Sequence, residues 1–211
     1  MKPDILIEPH YLPNILYLSR FLIYRDIIIN DENIFIKQTF RNRTYILTTN
    51  GILPLIIPLK KGKTRLSFKD VAIDHKINWG RIHWQSILSA YNKSPYFFHY
   101  RDHFEKHFKA KTKFLLDFNI LLISEIIRIL ELDNVISLLS RHDKNEVNLA
   151  DNLTGKIDAG ESAVPGFINY KYTRYMQVFS DRFDFVPGLS VIDLIFNTGP
   201  EAKQIMQKGL S

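Results

Sequence analysis

The chain has 211 residues, 45% of them hydrophobic and 24% charged, a balance that excludes wholesale disorder and is ample for a sizeable core. It contains no cysteine, which excludes disulfides, thiolate metal sites and cysteine nucleophiles. A formal charge of +6 suits anionic ligands such as nucleotides, phosphosugars, nucleic acid or acidic membrane surfaces.

Met1-Lys2-Pro3-Asp4 runs straight into a short apolar stretch, Ile5 to Ile7. A long apolar segment and a cleavage pattern are both missing there, so no signal peptide is read and a cytoplasmic location is expected. Asp4 to Ile7 reads as a short buried strand. Glu8-Pro9-His10-Tyr11-Leu12-Pro13 cannot prolong it, because each proline lacks a donor and fixes φ. Asn14 to Tyr24 reads as a buried helix, and Ile27-Ile28-Ile29 after Asp26 as a second strand. Strand, loop, helix and strand in this compass predict a βαβ unit, with its two strands parallel by the right-handed crossover rule.

Short β-like runs follow. Asn33 to Phe40 alternates in part, and Thr44 to Thr48 leads to the hairpin signal Asn50-Gly51. Ile52 to Leu59 continues as a strand whose Pro54 and Pro58 mark an edge or a bulge. Lys60 to Arg65 reads as an exposed basic loop, with a short strand near Val71 to Ile73.

The second half is mostly helical. Trp84, Ile87, Leu88 and Tyr91 share one helix face. Ser94 before Pro95 predicts a helix start, and Tyr96, Tyr100, Phe104 and Phe108 follow at i+4 steps. Lys113 to Glu131 reads as a long helix. It is interrupted by Asp117, Asn119, Glu125 and Arg128, which argues against a membrane span. Val135 to Leu139 suits a strand or a last helical turn. Asp143 to Gly166 is polar, with three glycines and one proline, and reads as a loop or insertion at about 143–166. Ser190 is expected to cap a helix from Val191 to Phe196, with Asp193 placed as in a capping box, before Gly199-Pro200 breaks it. Glu201 to Gln207 forms a last amphipathic turn or two. The expected fold class is α/β or α+β, a single domain over 1–211: an N-terminal βαβ unit and a small mixed sheet with a mostly helical second half.

Charge is unevenly distributed. Lys37 to Lys69 holds eight Lys or Arg and no Asp or Glu, whereas Asp143 to Glu161 holds five acids and two bases. The basic stretch suits an anion-facing surface or, equally, an ordinary solvated sheet face.

Pro9-His10-Tyr11-Leu12-Pro13, followed by Tyr17 and Asp26, resembles the opening signature of the WbqC-like family. The similarity runs on through Asn42-Arg43, Pro58 and Tyr91-x-x-Ser94-Pro95-Tyr96-Phe97. It returns as Tyr175-x-Gln177-x-Phe179 and as the stretch from Leu189 to Gly199. Two departures fall in the first loop: Glu8 stands where the family pattern has Gln, and Asn14 where it has Trp. The resemblance implies a bacterial protein associated with surface-polysaccharide (O-antigen) biosynthesis, and it implies no particular reaction. Strand, His-bearing loop, helix and acid also resemble nucleotidyltransferases with a His-x-Gly-His loop. Here the loop has neither the second His nor the Gly, so their phosphate-stabilising pair is missing.

The loop Glu8 to Pro13 sits at the carboxyl end of the first strand, where open α/β sheets bind ligands. His10 in that position is a candidate general base or phosphate contact, and Tyr11 a candidate stacking partner, framed by Pro9 and Pro13. The plain alternative is a proline-stiffened turn with a satisfied His. Arg41-Asn42-Arg43 offers guanidinium forks for a phosphate or carboxylate, with both arginines expected on one side of a strand and Asn42 on the other; either side can be the functional one, and a plain solvated strand end is an equal alternative. Asp193 and Asn197, one helical turn apart, can orient a ligand. Tyr91 and Tyr96, in the family-like stretches, complete the candidate binding set. His99, His103 and His107 form a stripe, but three residues on one straight helix cannot all reach one tetrahedral ion, so no metal site is assigned.

No Walker loop or dinucleotide fingerprint is present, and the cofactor is left open. The leading expectation is a transferase acting on a sugar, a nucleotide sugar or another anionic small molecule. The alternative is a non-catalytic protein partner of a biosynthetic enzyme. Nucleic acid ranks last, since no helix-turn-helix, zinc finger or RNP-like motif is found.

Overall fold

A computed structural model describes residues 3–62, 65–142, 149–157 and 170–210. Four short strands form a parallel sheet: β1 (Asp4–Ile7), β2 (Asp26–Ile29), β5 (Val135–Leu138) and β6 (Leu149–Asn152), in the order β5-β2-β1-β6. Ile5 and Ile7 of β1 face Ile27 and Ile29 of β2 across the ladder, and all four are buried. Continuous apolar runs of this kind suit a sheet covered on both sides. The crossover from β1 to β2 is α1 (Ile15–Ser19) followed by a 3-10 turn, Arg20–Leu22. Asn14 caps α1, its side-chain oxygen accepting the Tyr17 N–H at 2.8 Å. The expected parallel βαβ unit is therefore present.

The second sheet is an antiparallel ribbon of β3 (Arg43–Thr48) and β4 (Gly51–Ile56). Thr49 and Asn50 form its turn, and Gly51 opens β4 opposite Thr48. Pro54 pairs with Tyr45, and β4 leaves Ile52, Pro54 and Ile56 exposed, as an edge strand does. β4 stops at Ile56 rather than Leu59, and Leu59 makes only an isolated bridge to Ile73. Residues 33–40 form no strand. Ile34 and Ile36 are exposed, so their alternation has no buried face to serve.

The helical half comprises α2 (Trp79–Tyr91), α3 (Phe97–Lys109), α4 (Leu115–Ile129), α5 (Val191–Thr198) and α6 (Ala202–Lys208). Aromatic rings join them. Phe196 of α5 lies 5.0 Å from Phe97 and 5.6 Å from Phe104, and Trp84 of α2 lies 5.8 Å from Phe108. Each such fully buried ring contributes roughly 2–3 kcal/mol. Gly199 ends α5 with φ +52°, and a Cβ there would fall 2.5 Å from the Tyr96 ring.

Three local expectations are corrected. Ser94 does not cap α3: the helix starts at Phe97, whose N–H donates to the Ser94 carbonyl at 3.1 Å, and the Ser94 hydroxyl is buried without a partner. Asp193 forms no capping box. Ser190 does cap α5, but its own N–H donates to the Tyr45 carbonyl, and the Asp193 carboxylate turns into the core. The polar stretch 143–166 is not all loop either. It contributes β6, with Leu153 and Ile157 buried behind it, and its remainder lies outside the described residues.

Candidate functional site

In chain order the parallel strands lie third, second, first and fourth across the sheet. Their order therefore reverses between β1 and β6. In open α/β sheets, ligands bind at the carboxyl ends of the strands beside such a reversal. The loop that leaves β1 there is Glu8 to Pro13, and the turn that leaves β6 carries Gly155 beside the Glu8 carboxylate, within 3.7 Å of a Cβ built on the glycine.

Glu8 forms an ion pair with Arg41, the guanidinium Nε lying 2.5 Å from Oε2, and both side chains are almost wholly out of water. Asn119 of α4 clips the two segments together, its amide donating to the Pro9 carbonyl at 3.1 Å and the Arg41 carbonyl at 2.7 Å. Tyr11 N–H donates to the Phe40 carbonyl at 2.9 Å, and the Tyr17 hydroxyl to the Glu8 carbonyl at 2.8 Å. The structure thus brings the first loop and the Arg41-Asn42-Arg43 turn into contact.

His10 is buried between the rings of Tyr17 and Phe40, at 4.5 and 5.4 Å, with its Nδ1 unpartnered. Burial, with the Arg41 charge added, lowers its pKa to about 3, so the imidazole is neutral at physiological pH. Burial also raises the Tyr11 phenol well above its ordinary value and lowers His83 to about 4. Tyr11 and His83, hydrogen-bonded at 2.8 Å, are therefore a neutral pair. Leu12 adopts φ +39°, a left-handed conformation that costs a branched side chain energy. Its carbonyl is held by the hydroxyls of Thr44 at 2.8 Å and Ser190 at 2.9 Å. The carbonyl of Pro13 accepts the Val191 N–H at 2.8 Å, tying the loop to α5.

Arg41 and Arg43 do not share a solvent face. β3 begins only at Arg43, so strand alternation does not reach back to Arg41, which is buried on Glu8. Arg43 is half-buried, with Nη1 3.4 Å from the Tyr45 hydroxyl and Nε unpartnered. Asn42 is buried and structural in its contacts, donating to the Ile57 carbonyl at 3.1 Å. Along the same sheet edge, Asp31 after β2 accepts the Ser140 hydroxyl at 2.6 Å and its N–H at 3.0 Å. Asn30 meets Thr154 after β6 at 3.3 Å.

The remaining candidates form a second group. Asp193, fully buried, accepts the Tyr175 hydroxyl at 2.6 Å and the Gln177 amide at 3.0 Å, and the Tyr91 hydroxyl, which accepts the Leu47 N–H at 3.3 Å, lies near it. Burial raises its carboxyl above the usual range, and the hydrogen bonds from Tyr175 and Gln177 oppose that rise. Asn197 donates to the Asp193 carbonyl at 2.7 Å, and Tyr96 N–H to the Phe196 carbonyl at 3.0 Å. This cluster fastens α5 to β3 and to the 175–177 segment. It meets the first group where Leu12, Pro13 and Asn14 pack on Ser190 and Val191.

The histidine stripe divides. His103 and His107 approach the Glu125 oxygens at 2.8 and 3.4 Å, beside Lys106 and Arg128, whereas His99 rests edge-on against the Tyr100 ring. Among the described residues, no three His, Asp or Glu side chains are grouped to hold a metal ion. No described helix is long and apolar enough to cross a membrane. Glu8, His83 and Asn119 went unassigned from sequence. The one available signal was Asn119, an amide among the few polar residues that interrupt the long apolar helix α4.

The WbqC-like protein family matches residues 8–165 and 159–205, and the chain belongs to it. The uncharacterized protein Rv1507c of Mycobacterium tuberculosis is 26% identical over 98 residues, covering 46% of this chain and 42% of that relative. The chain thus spans less than half the length of this curated relative. No solved structure is significantly similar.

Proposed function

We propose that this WbqC-like chain is a transferase acting on a sugar or nucleotide-sugar precursor of a bacterial surface polysaccharide. The family resemblance suggests the pathway class. The observation that carries the site is the buried polar cluster of Glu8, His10 and Arg41 where the strand order reverses, at the carboxyl ends of β1 and β6. Arg43, half-buried and with an unpartnered Nε, is the group that meets the anion. Pro9 and Pro13 stiffen the loop. His10, neutral and with an unpartnered Nδ1, serves as a hydrogen-bonding group to the substrate rather than as an ion, and Tyr11, neutral and held by His83, shapes the loop beside it. Titration calorimetry with nucleotide sugars tests this. Binding that weakens in Arg43→Ala supports it, and heat-silent titrations across the panel count against it.

A second role, as the non-catalytic partner of a biosynthetic enzyme, is favoured by one observation. Ile52 and Ile82 are both exposed and line one shallow surface between β4 and α2. It predicts co-purification with such an enzyme, weakened by Ile82→Lys.

A further inference from the structure

The first turn of α2 and the last turn of α3 enclose a cleft of about 510 Å³, within the size range of small-molecule sites. Its walls are Trp79, Trp84 and Phe108, and its rim is Lys76, Arg81, Lys109 and Lys111. Glu105 is the one acid in the lining, and it is engaged by Lys109 at 3.0 Å and by Arg101 at 3.3 Å. No described acid pairs with Lys76, Arg81 or Lys111, so the rim carries uncompensated positive charge.

The cleft is a built feature. A Cβ on Gly80 would lie 2.4 Å from the Phe108 carbonyl oxygen, so the two helices meet as closely as glycine allows and fix the back wall. Asn78 and Gly80 bring the amino end of α2, a helix of 13 residues, to the same space, where its dipole adds positive potential. Independently, Trp79 is only 4% exposed and its indole N–H is buried without an acceptor. That donor is sealed from solvent inside the wall, so it is the edges of the rings, with the cationic rim, that face the cleft.

A cleft of this size with aromatic walls and a cationic rim at a helix N-terminus suits a planar base joined to phosphate. The geometry points to this cleft as the binding site for the nucleoside-phosphate part of a nucleotide or nucleotide sugar. The site also communicates with the loop after β1. Tyr11 bonds to His83, whose ring lies 5.2 Å from Trp79. The assignment deepens the transferase proposal and rests on it for the ligand class.

The two tryptophans of the chain are Trp79 and Trp84, so intrinsic tryptophan fluorescence reports on the walls of this cleft, and a rim variant separates binding here from binding at the loop after β1. The full chain is titrated with UDP, ADP and inorganic pyrophosphate, reading fluorescence and thermal stability together, beside the surface double variant Arg81→Ala/Lys111→Ala. The expected result is a saturable fluorescence change with a nucleoside diphosphate, weaker binding of pyrophosphate, and on the order of a tenfold loss of affinity in the double variant. Stabilisation by a nucleotide with no fluorescence change, or with affinity unaltered in the double variant, overturns the cleft assignment and leaves the transferase proposal standing. Tight binding of pyrophosphate with no gain from the base overturns the nucleoside part. Absence of any response to nucleotides overturns the assignment. If nucleotide sugars are silent as well, the transferase proposal falls with it.

Discussion

The carboxylate of Glu8 and the guanidinium of Arg41 meet at 2.5 Å with side-chain exposures of 5% and 2%. They join the loop after β1 to the turn before β3. A buried ion pair is weak evidence for stability as such, because desolvation offsets most of its attraction. Removing one partner is another matter, since it strands the other charge out of water.

Glu8→Ala is therefore predicted to destabilise the fold by about 3–5 kcal/mol. Glu8→Gln, which keeps an acceptor for the guanidinium, loses less. Urea unfolding of the two variants checks the ranking, and equal losses would show that charge, not hydrogen bonding, dominates the pair.

The left-handed Leu12 should depend on the two hydroxyls that hold its carbonyl. Thr44→Val and Ser190→Ala are each predicted to cost about 1 kcal/mol, with Ser190→Ala the larger because it also uncaps α5. Thermal unfolding of the single and double variants measures both losses, and the coupling of two groups on one carbonyl predicts that they do not add.

Glu125 sets a pH dependence. Burial raises its carboxyl, but hydrogen bonds from Lys106, Arg128, His103 and His107 outweigh that and hold the pKa at about 2, against an ordinary 4.5. A depressed carboxyl contributes stability that is fully present above its unfolded pKa and is lost as pH falls through the folded one. Stability should therefore decline between about pH 4.5 and pH 2, by on the order of 2 kcal/mol after allowing for the exposure of Lys106 and Arg128. In Glu125→Gln this part of the acid limb should flatten, as urea midpoints taken across that range will show.

The βαβ unit was legible because two isoleucine-rich runs flank a proline loop and an apolar helix, and the period of each piece is unambiguous. β6 was not. Leu149-Ala150-Asp151-Asn152 is half polar, and its strand character comes from pairing with β1, a contact about 145 residues distant in the chain. Val135 to Leu138 stayed ambiguous for the same reason, until its pairing with β2 resolved it as a strand. At the site, position was readable and environment was not. His10 and Arg41 were correctly set beside the first strand and the basic stretch. Their burial follows from Phe40, Glu8 and Asn119, which only the tertiary fold assembles. Asp193 shows the limit of local motifs. Its spacing from Ser190 fits a capping box, yet Tyr175 and Gln177 claim the carboxylate from another segment.

The most direct test of a small-molecule transferase is thermal unfolding of the chain with nucleotide sugars, with and without magnesium, beside Arg43→Ala. Ligand at about 100 times its dissociation constant adds roughly 2.7 kcal/mol, which for a chain of this size is a rise in Tm of roughly 5–10 °C. The account predicts such a rise with at least one nucleotide sugar and a smaller one in Arg43→Ala. A Tm unmoved by every compound, at concentrations that saturate known nucleotide-sugar sites, would contradict it and favour the partner-binding role.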